Sequence, residues 1–208
     1  MDKETLAPCR ARLGLIVSSS NRMVEPYFRA FAPTTLAVHV TRMRMRDRPL
    51  SEIAGEVERA AELLADAKVD LIVLQATGVA MGEGPEAEAA LMDRLAGLAR
   101  TPVLSATQAM VEGAKALGLR RLVLLTPFDQ QTNARECAYL EARGFEIAAA
   151  ARLDAADGAG SGSLPAERWA DIAAALDSAA ADGFFLSGSN TTMGAAVALV
   201  EQIGRAHV

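Results

Sequence analysis

Four apolar segments, each running directly into a short polar loop, constrain the fold of this chain more than any other feature. LGLIV at Leu13 to Val17 leads into Ser18, Ser19, Ser20 and Asn21, and LIVL at Leu71 to Leu74 leads into Gln75, Ala76, Thr77 and Gly78. LVLL at Leu122 to Leu125 enters Thr126, Pro127, Phe128 and Asp129, and FFL at Phe184 to Leu186 enters Ser187, Gly188, Ser189 and Asn190. Near-continuous apolar runs suit strands buried on both faces, which call for parallel pairing beneath two layers of helix. Helical patterns fill the intervals: Met23 to Phe31, Ser51 to Ala67 with Ser51 as its cap, Pro85 to Leu98, and Thr107 to Leu117 stopping at Gly118.

The order is duplicated. RLGLIVSS from Arg12 and RLVLLTPF from Arg121 lie 109 residues apart, while VDLIVLQATG from Val69 and ADGFFLSGSN from Ala181 lie 112 apart. Such offsets predict an α/β fold of two pseudo-symmetric parallel-sheet half-domains with helices on both faces. The plainer reading is that any two parallel βα units look alike at this length. The halves are expected at residues 12–118 and 119–208, after an N-terminal extension of residues 1–11, with the C-terminal segment available to complete the first half. Ligands of open parallel sheets bind beyond the carboxyl ends of the strands, so the duplicated arrangement places one cleft between the halves.

Composition narrows the partners. A net charge of −5, from 21 basic and 26 acidic residues spread along the chain, offers no basic face to nucleic acid and no polybasic run to a membrane. The N-terminus lacks the apolar stretch of a signal peptide and no apolar run nears the roughly 18 residues of a membrane span, so a cytoplasmic protein is expected. Cys9 and Cys137 have no metal-binding spacing, and only His39 and His207 accompany them, so a zinc site is not expected.

The four loops share small residues, hydroxyls, amides and glycines, which let backbone N–H groups approach an anion closely. Each loop alone is better explained as a turn or a helix cap; four at matching strand ends favour a carboxylate site. Asp129 and Glu83 are available as carboxylate bases, although acidic residues also favour the first turns of helices. Cys137, Tyr139 and Trp169 fall on helical patterns and read as packing, and ADGAGSGS at residues 156–163 reads as a linker rather than a lid.

LGLIVSSSNRMVEP, VDLIVLQATG, PVLSATQAMVEGAKALGLRRLVLLTPFDQQTN and DGFFLSGSN together resemble the Asp/Glu racemase superfamily, in the branch containing maleate cis-trans isomerase and arylmalonate decarboxylase. The resemblance spans about residues 13 to 190 and implies two α/β halves around a cleft that acts on small carboxylates without metal or organic cofactor. It also implies a pair of catalytic cysteines, one per half, at positions that Ala76 and Gly188 occupy here, and a tyrosine where Phe128 stands. The implied substrate-binding residues are Ser19, Asn21, Thr77, Gly78, Phe128, Ser187, Gly188, Ser189 and Asn190, with catalytic residues unassigned.

Three functions follow as expectations. The first is an isomerase, racemase or decarboxylase using acid/base groups other than the family thiols, with decarboxylation suiting it best. The second is a catalytically silent carboxylate-binding or accessory protein of a catabolic pathway, for example ectoine utilization. The third is a thiol-disabled isomerase that cysteines at positions 76 and 188 would restore. The chain ends at IGRAHV, where the branch continues with a further strand and helix; either the sequence is shortened there or a homo-oligomer, a dimer first, is expected to cover the open sheet edge.

Overall fold

The computed structural model describes residues 9–45, 48–153, 164–176, 180–201 and 206–207. The first sheet contains β1 (Ala11–Ser18), β2 (Leu36–Met43), β3 (Leu71–Gln75) and β4 (Val103–Ser105), in the order β2-β1-β3-β4. The second contains β5 (Arg121–Thr126), β6 (Glu146–Arg152), β7 (Gly183–Leu186) and β8 (Ala206–His207), in the order β6-β5-β7-β8. All pairings are parallel.

The duplication extends to register. Leu13 of β1 pairs with Leu71 of β3, and Leu122 of β5 with Gly183 of β7. Those pairs are related by the same 109- and 112-residue offsets that the sequence motifs show. Register fixes which side chains face which layer, so the loops after β1 and β3 emerge in the same relation as those after β5 and β7.

Helices cover both faces of each sheet. They are α1 (Val24–Phe31), α2 (Leu50–Asp66), α3 (Thr77–Glu83), α4 (Pro85–Ala99), α5 (Ala106–Ala116), α6 (Gln130–Ala142), α7 (Ala166–Ala175) and α8 (Met193–Glu201). Strand alternation assigns the layers. Ile16, Ile72 and Leu74 face α2 and α4, whereas Leu15, Val17 and Val73 face Val24 of α1 and Ala106 of α5. In the second sheet Leu122, Leu124 and Phe185 pack with Tyr139 and Leu140 of α6, and Val123, Leu125 and Phe184 with Trp169 of α7 and Met193 of α8. Trp169 and Tyr139 are therefore core residues, as their helical positions suggest.

Several details depart from the sequence reading. Pro49, with no side-chain hydrogen bond, stands at the start of α2, and Ser51 lies inside the helix. Gln75 to Gly78 is not all loop, because α3 begins at Thr77. α5 carries Val111 and Ala114, and α3 carries Met81, into the core of the second sheet, so packing does not follow the chain boundary near Gly118. A terminal strand is present: β8 pairs with Phe184 and Gly183, with His207 on it. Residues 156–163 lie outside the described residues. No described helix is long and apolar enough to cross a membrane, and no three His, Cys, Asp or Glu among the described residues could hold a metal ion.

Candidate active site

The strand-end loops of both sheets meet around a cleft of about 570 Å³. Ser18, Ser20 and Asn21 come from the loop after β1, Gln75 to Val79 from the end of β3 and start of α3, Pro127 to Asp129 from the loop after β5, and Gly188 to Thr191 from the loop after β7. Gln131, Thr132 and Arg135 of α6, Gly82 and Glu83 of α3, and Met45, Arg48 and Pro49 complete the lining. The sequence-derived residues Asn21, Thr77, Gly78, Phe128, Gly188, Ser189 and Asn190 thus share one cavity, with Ala76 among them.

Two expected residues stand outside that lining. Ser19 is exposed, and its N–H donates to the Met43 carbonyl at 2.7 Å, so the loop turns its neighbours Ser18 and Ser20 inward instead. Ser187 is fully buried beneath the loop and donates its hydroxyl to Oε1 of Glu136 at 2.8 Å. Strand alternation at the end of β7 sends consecutive side chains to opposite sides, which separates Ser187 from the residues following it.

The floor of the cleft is a set of contacts between the halves. Asn21 Nδ2 donates to Ser189 Oγ at 3.0 Å, and the Arg22 N–H donates to Asn190 Oδ1 at 2.9 Å. Asn21 Oδ1 meanwhile accepts from the N–H groups of Met23 and Val24, both at 3.0 Å, capping α1. Tyr27 of α1 donates to the Thr191 carbonyl at 2.6 Å, and its ring leaves no room for a side chain on Gly194.

The candidate bases divide. Asp129 caps α6, accepting from the Thr132 N–H at 2.7 Å; Thr132 holds its carboxyl below the ordinary range. Glu83 lines the cleft. Neither cysteine lines it: Cys9 is exposed, and Cys137 is half-buried on α6, where burial first, then Glu141 and Glu136, pushes its thiol up. His39 sits on β2, away from the lining.

Sequence reasoning passed over two residues of α6. Glu136 is fully buried, one oxygen engaged by Ser187 and the other, Oε2, without a hydrogen-bond partner among the described residues. Burial, opposed by Ser187 and by the Thr126 side chain nearby, raises its carboxyl from 4.5 to about 7. Arg135, one residue earlier, points into the cleft lining. The Asp129 cap was the available signal, because it sets the helical phase from which both orientations follow.

Positions 76 and 188, both facing the cleft, differ in what they permit. Gly188 has φ +98°, and a Cβ there would lie 3.0 Å from Pro127 Cγ. Ala76 has φ −141°, which any residue can adopt. Gly78 lies under the Phe128 ring, 3.3 Å from Cζ to a notional Cβ, so the aromatic ring forms one wall by closing onto glycine.

The sequence model of the arylmalonate decarboxylase family matches residues 13–208. A maleate isomerase of Nocardia farcinica is 33% identical over 188 residues, covering 85% of this chain and 75% of that protein. A cysteine-to-serine variant of the maleate cis-trans isomerase of Nocardia farcinica, solved with a covalently bound succinylcysteine intermediate, superposes with a TM-score of 0.86 at 27% identity, over 95% of this chain and 86% of that one. The maleate isomerase of Pseudomonas putida S16 with maleate has the same fold, at a TM-score of 0.87 and 24% identity over 95% and 86% of the two chains. With the sequence match running from β1 to the last residue and the paired sheets superposing almost throughout, this chain belongs to the arylmalonate decarboxylase family.

Proposed function

We propose that this chain is a cofactor-independent enzyme that binds a small carboxylate or dicarboxylate in the cleft and acts on it by decarboxylation or proton transfer. The observation that carries this reading is the single cavity bordered by the strand-end loops of both sheets, in which Thr77, Ser189 and the backbone of Gly78 and Gly188 can address an anion. In this reading Ala76 and Gly188 occupy the places of the family thiols, and catalysis runs without them.

The missing thiol selects the chemistry. A relative forms a succinylcysteine intermediate, and no described residue lining this cleft carries sulfur that could form one, Met45 being a thioether. Isomerisation through a covalent thioether is therefore set aside. Decarboxylation needs no nucleophile: the leaving carboxylate departs as carbon dioxide, and its electron pair passes to the remaining carboxylate as an enediolate. Hydrogen-bond donors at the loops stabilise that charge, and Met45, Val79, Pro127 and Phe128 give the leaving group an apolar wall. Water supplies the proton.

A melting-shift screen with maleate, malonates, aspartate and hydantoins, followed by NMR in deuterium oxide, tests this. Carbon dioxide release or deuterium at carbon supports an enzyme. Binding without either supports the silent carboxylate-binding protein, which the thiol-free cleft also fits, and absence of any shift defeats both. Association into a homodimer belongs to the same proposal and is read by sedimentation.

A further inference from the structure

We propose that Arg135 anchors the second carboxylate of a dicarboxylate ligand, reaching from the second half of the molecule to the first half's wall of the cleft. This rests on reading the cleft as a carboxylate site, and adds what selects a dianion over a monoanion. Among the described residues, four charged side chains line the cavity: Arg48, Glu83, Asp129 and Arg135. Three are committed. Arg48 is held by Glu56 at 2.6 Å and Glu52 at 4.0 Å, Asp129 caps α6 through Thr132, and Glu83 has a partner. Arg135 makes no hydrogen bond or ion pair among the described residues, and Asp129 acts on it only through its charge.

Its placement follows from two helices. Asp129 fixes the phase of α6, so that Gln131, Thr132 and Arg135 face the cleft while Glu136, Tyr139 and Leu140 face the core. Opposite lies α3, where a Cβ added at Gly82 would meet only Arg135 Nη1, at 4.0 Å. Glycine there leaves the guanidinium open ground between the helices. Arg135 is exposed, so its five N–H donors remain available, and a planar guanidinium pairs a carboxylate through two parallel bonds as an ammonium cannot. Thr77 and Gly78, at the start of α3 about one turn back from Gly82, line the same cavity and can take the first carboxylate.

Calorimetric titration of the purified protein with maleate and succinate, and with their monoacid counterparts acrylate and propionate, tests the assignment. Wild type should prefer the diacids. Arg135→Gln should weaken them about tenfold, the low end for a hydrogen bond to a charged group at a site open to water, and leave the monoacids within about twofold. Arg135→Lys should recover part of the loss, and the diacid preference should shrink at high salt. Equal losses for mono- and diacids in Arg135→Gln, or none, overturn the anchor while leaving the carboxylate cleft standing. If wild type binds none of the four, the reading of the cleft falls and the anchor with it.

Discussion

Asn21 and Ser189, 168 positions apart, meet at 3.0 Å where the loops after β1 and β7 close the bottom of the cleft. The pair is related to the internal repeat: each residue follows an inner strand of its own sheet, and their contact joins the halves at the site itself. Asn21 is also 4% exposed, so its amide has little access to water as an alternative partner. The contact therefore serves both the closure of α1 and the spacing of the two sheets.

Asn21→Ala removes the cap of α1 and the bond to Ser189 together. The expected cost is about 2 kcal/mol, from a lost cap and a lost buried hydrogen bond. Ser189→Ala should cost about half of that. Urea denaturation of the two variants checks the order, and a larger effect at Ser189 would contradict it.

Introducing a thiol should cost little at position 76 and more at position 188. Ala76→Cys requires no change of backbone and should alter stability by less than about 1.5 kcal/mol. Gly188→Cys must hold a side chain at φ +98° against Pro127, at a cost of about 1–3 kcal/mol from the backbone alone. Melting of the two single variants distinguishes them, and equal melting temperatures would show that the loop after β7 relaxes. The loop geometry thus opposes the expectation that two cysteines simply revive an isomerase.

Glu136 makes stability depend on pH in a defined sense. Its carboxyl titrates at about 7 in the folded chain against an ordinary 4.5, so the native state holds the proton more tightly than the unfolded state. The contribution is fully present below about pH 4.5, declines as pH rises through 7, and is absent above; it amounts to on the order of 3 kcal/mol. Glu136→Gln, which still accepts from Ser187, should flatten this part of the profile. A profile with the same slope in wild type and variant would assign the dependence elsewhere.

A second buried carboxylate holds the layers together away from the cleft. Glu88 of α4 is fully buried and accepts from Ser105 Oγ at 2.5 Å, from the Tyr139 hydroxyl and from Arg143 at 3.3 Å. It links α4, the end of β4 and α6. Tyr139→Phe should destabilise by about 2 kcal/mol, because a buried carboxyl group loses a hydrogen-bond partner without losing its burial. Glu88→Ala should exceed that, at about 3–5 kcal/mol. Equilibrium unfolding of both variants reads the difference.

The sequence by itself determined the layered architecture and its duplication. Strand position rests on local apolar runs and on their spacing, both of which are written along the chain; the offsets relate Leu13 to Leu122 and Leu71 to Gly183, so the pairing found in one sheet recurs in the other. The same local chemistry pointed to Asn21, Thr77, Gly78 and Asn190 as neighbours around a cavity. What only the tertiary structure decided is which side of each element those residues face and what lies across from them. Ser187 turns inward to Glu136, Arg135 turns outward beside Gly82, and Gly188 takes a positive φ with Pro127 packed where a Cβ would stand. Burial and unpaired charge arise from atoms brought together by packing across tens of residues, and no local pattern of side chains encodes that proximity.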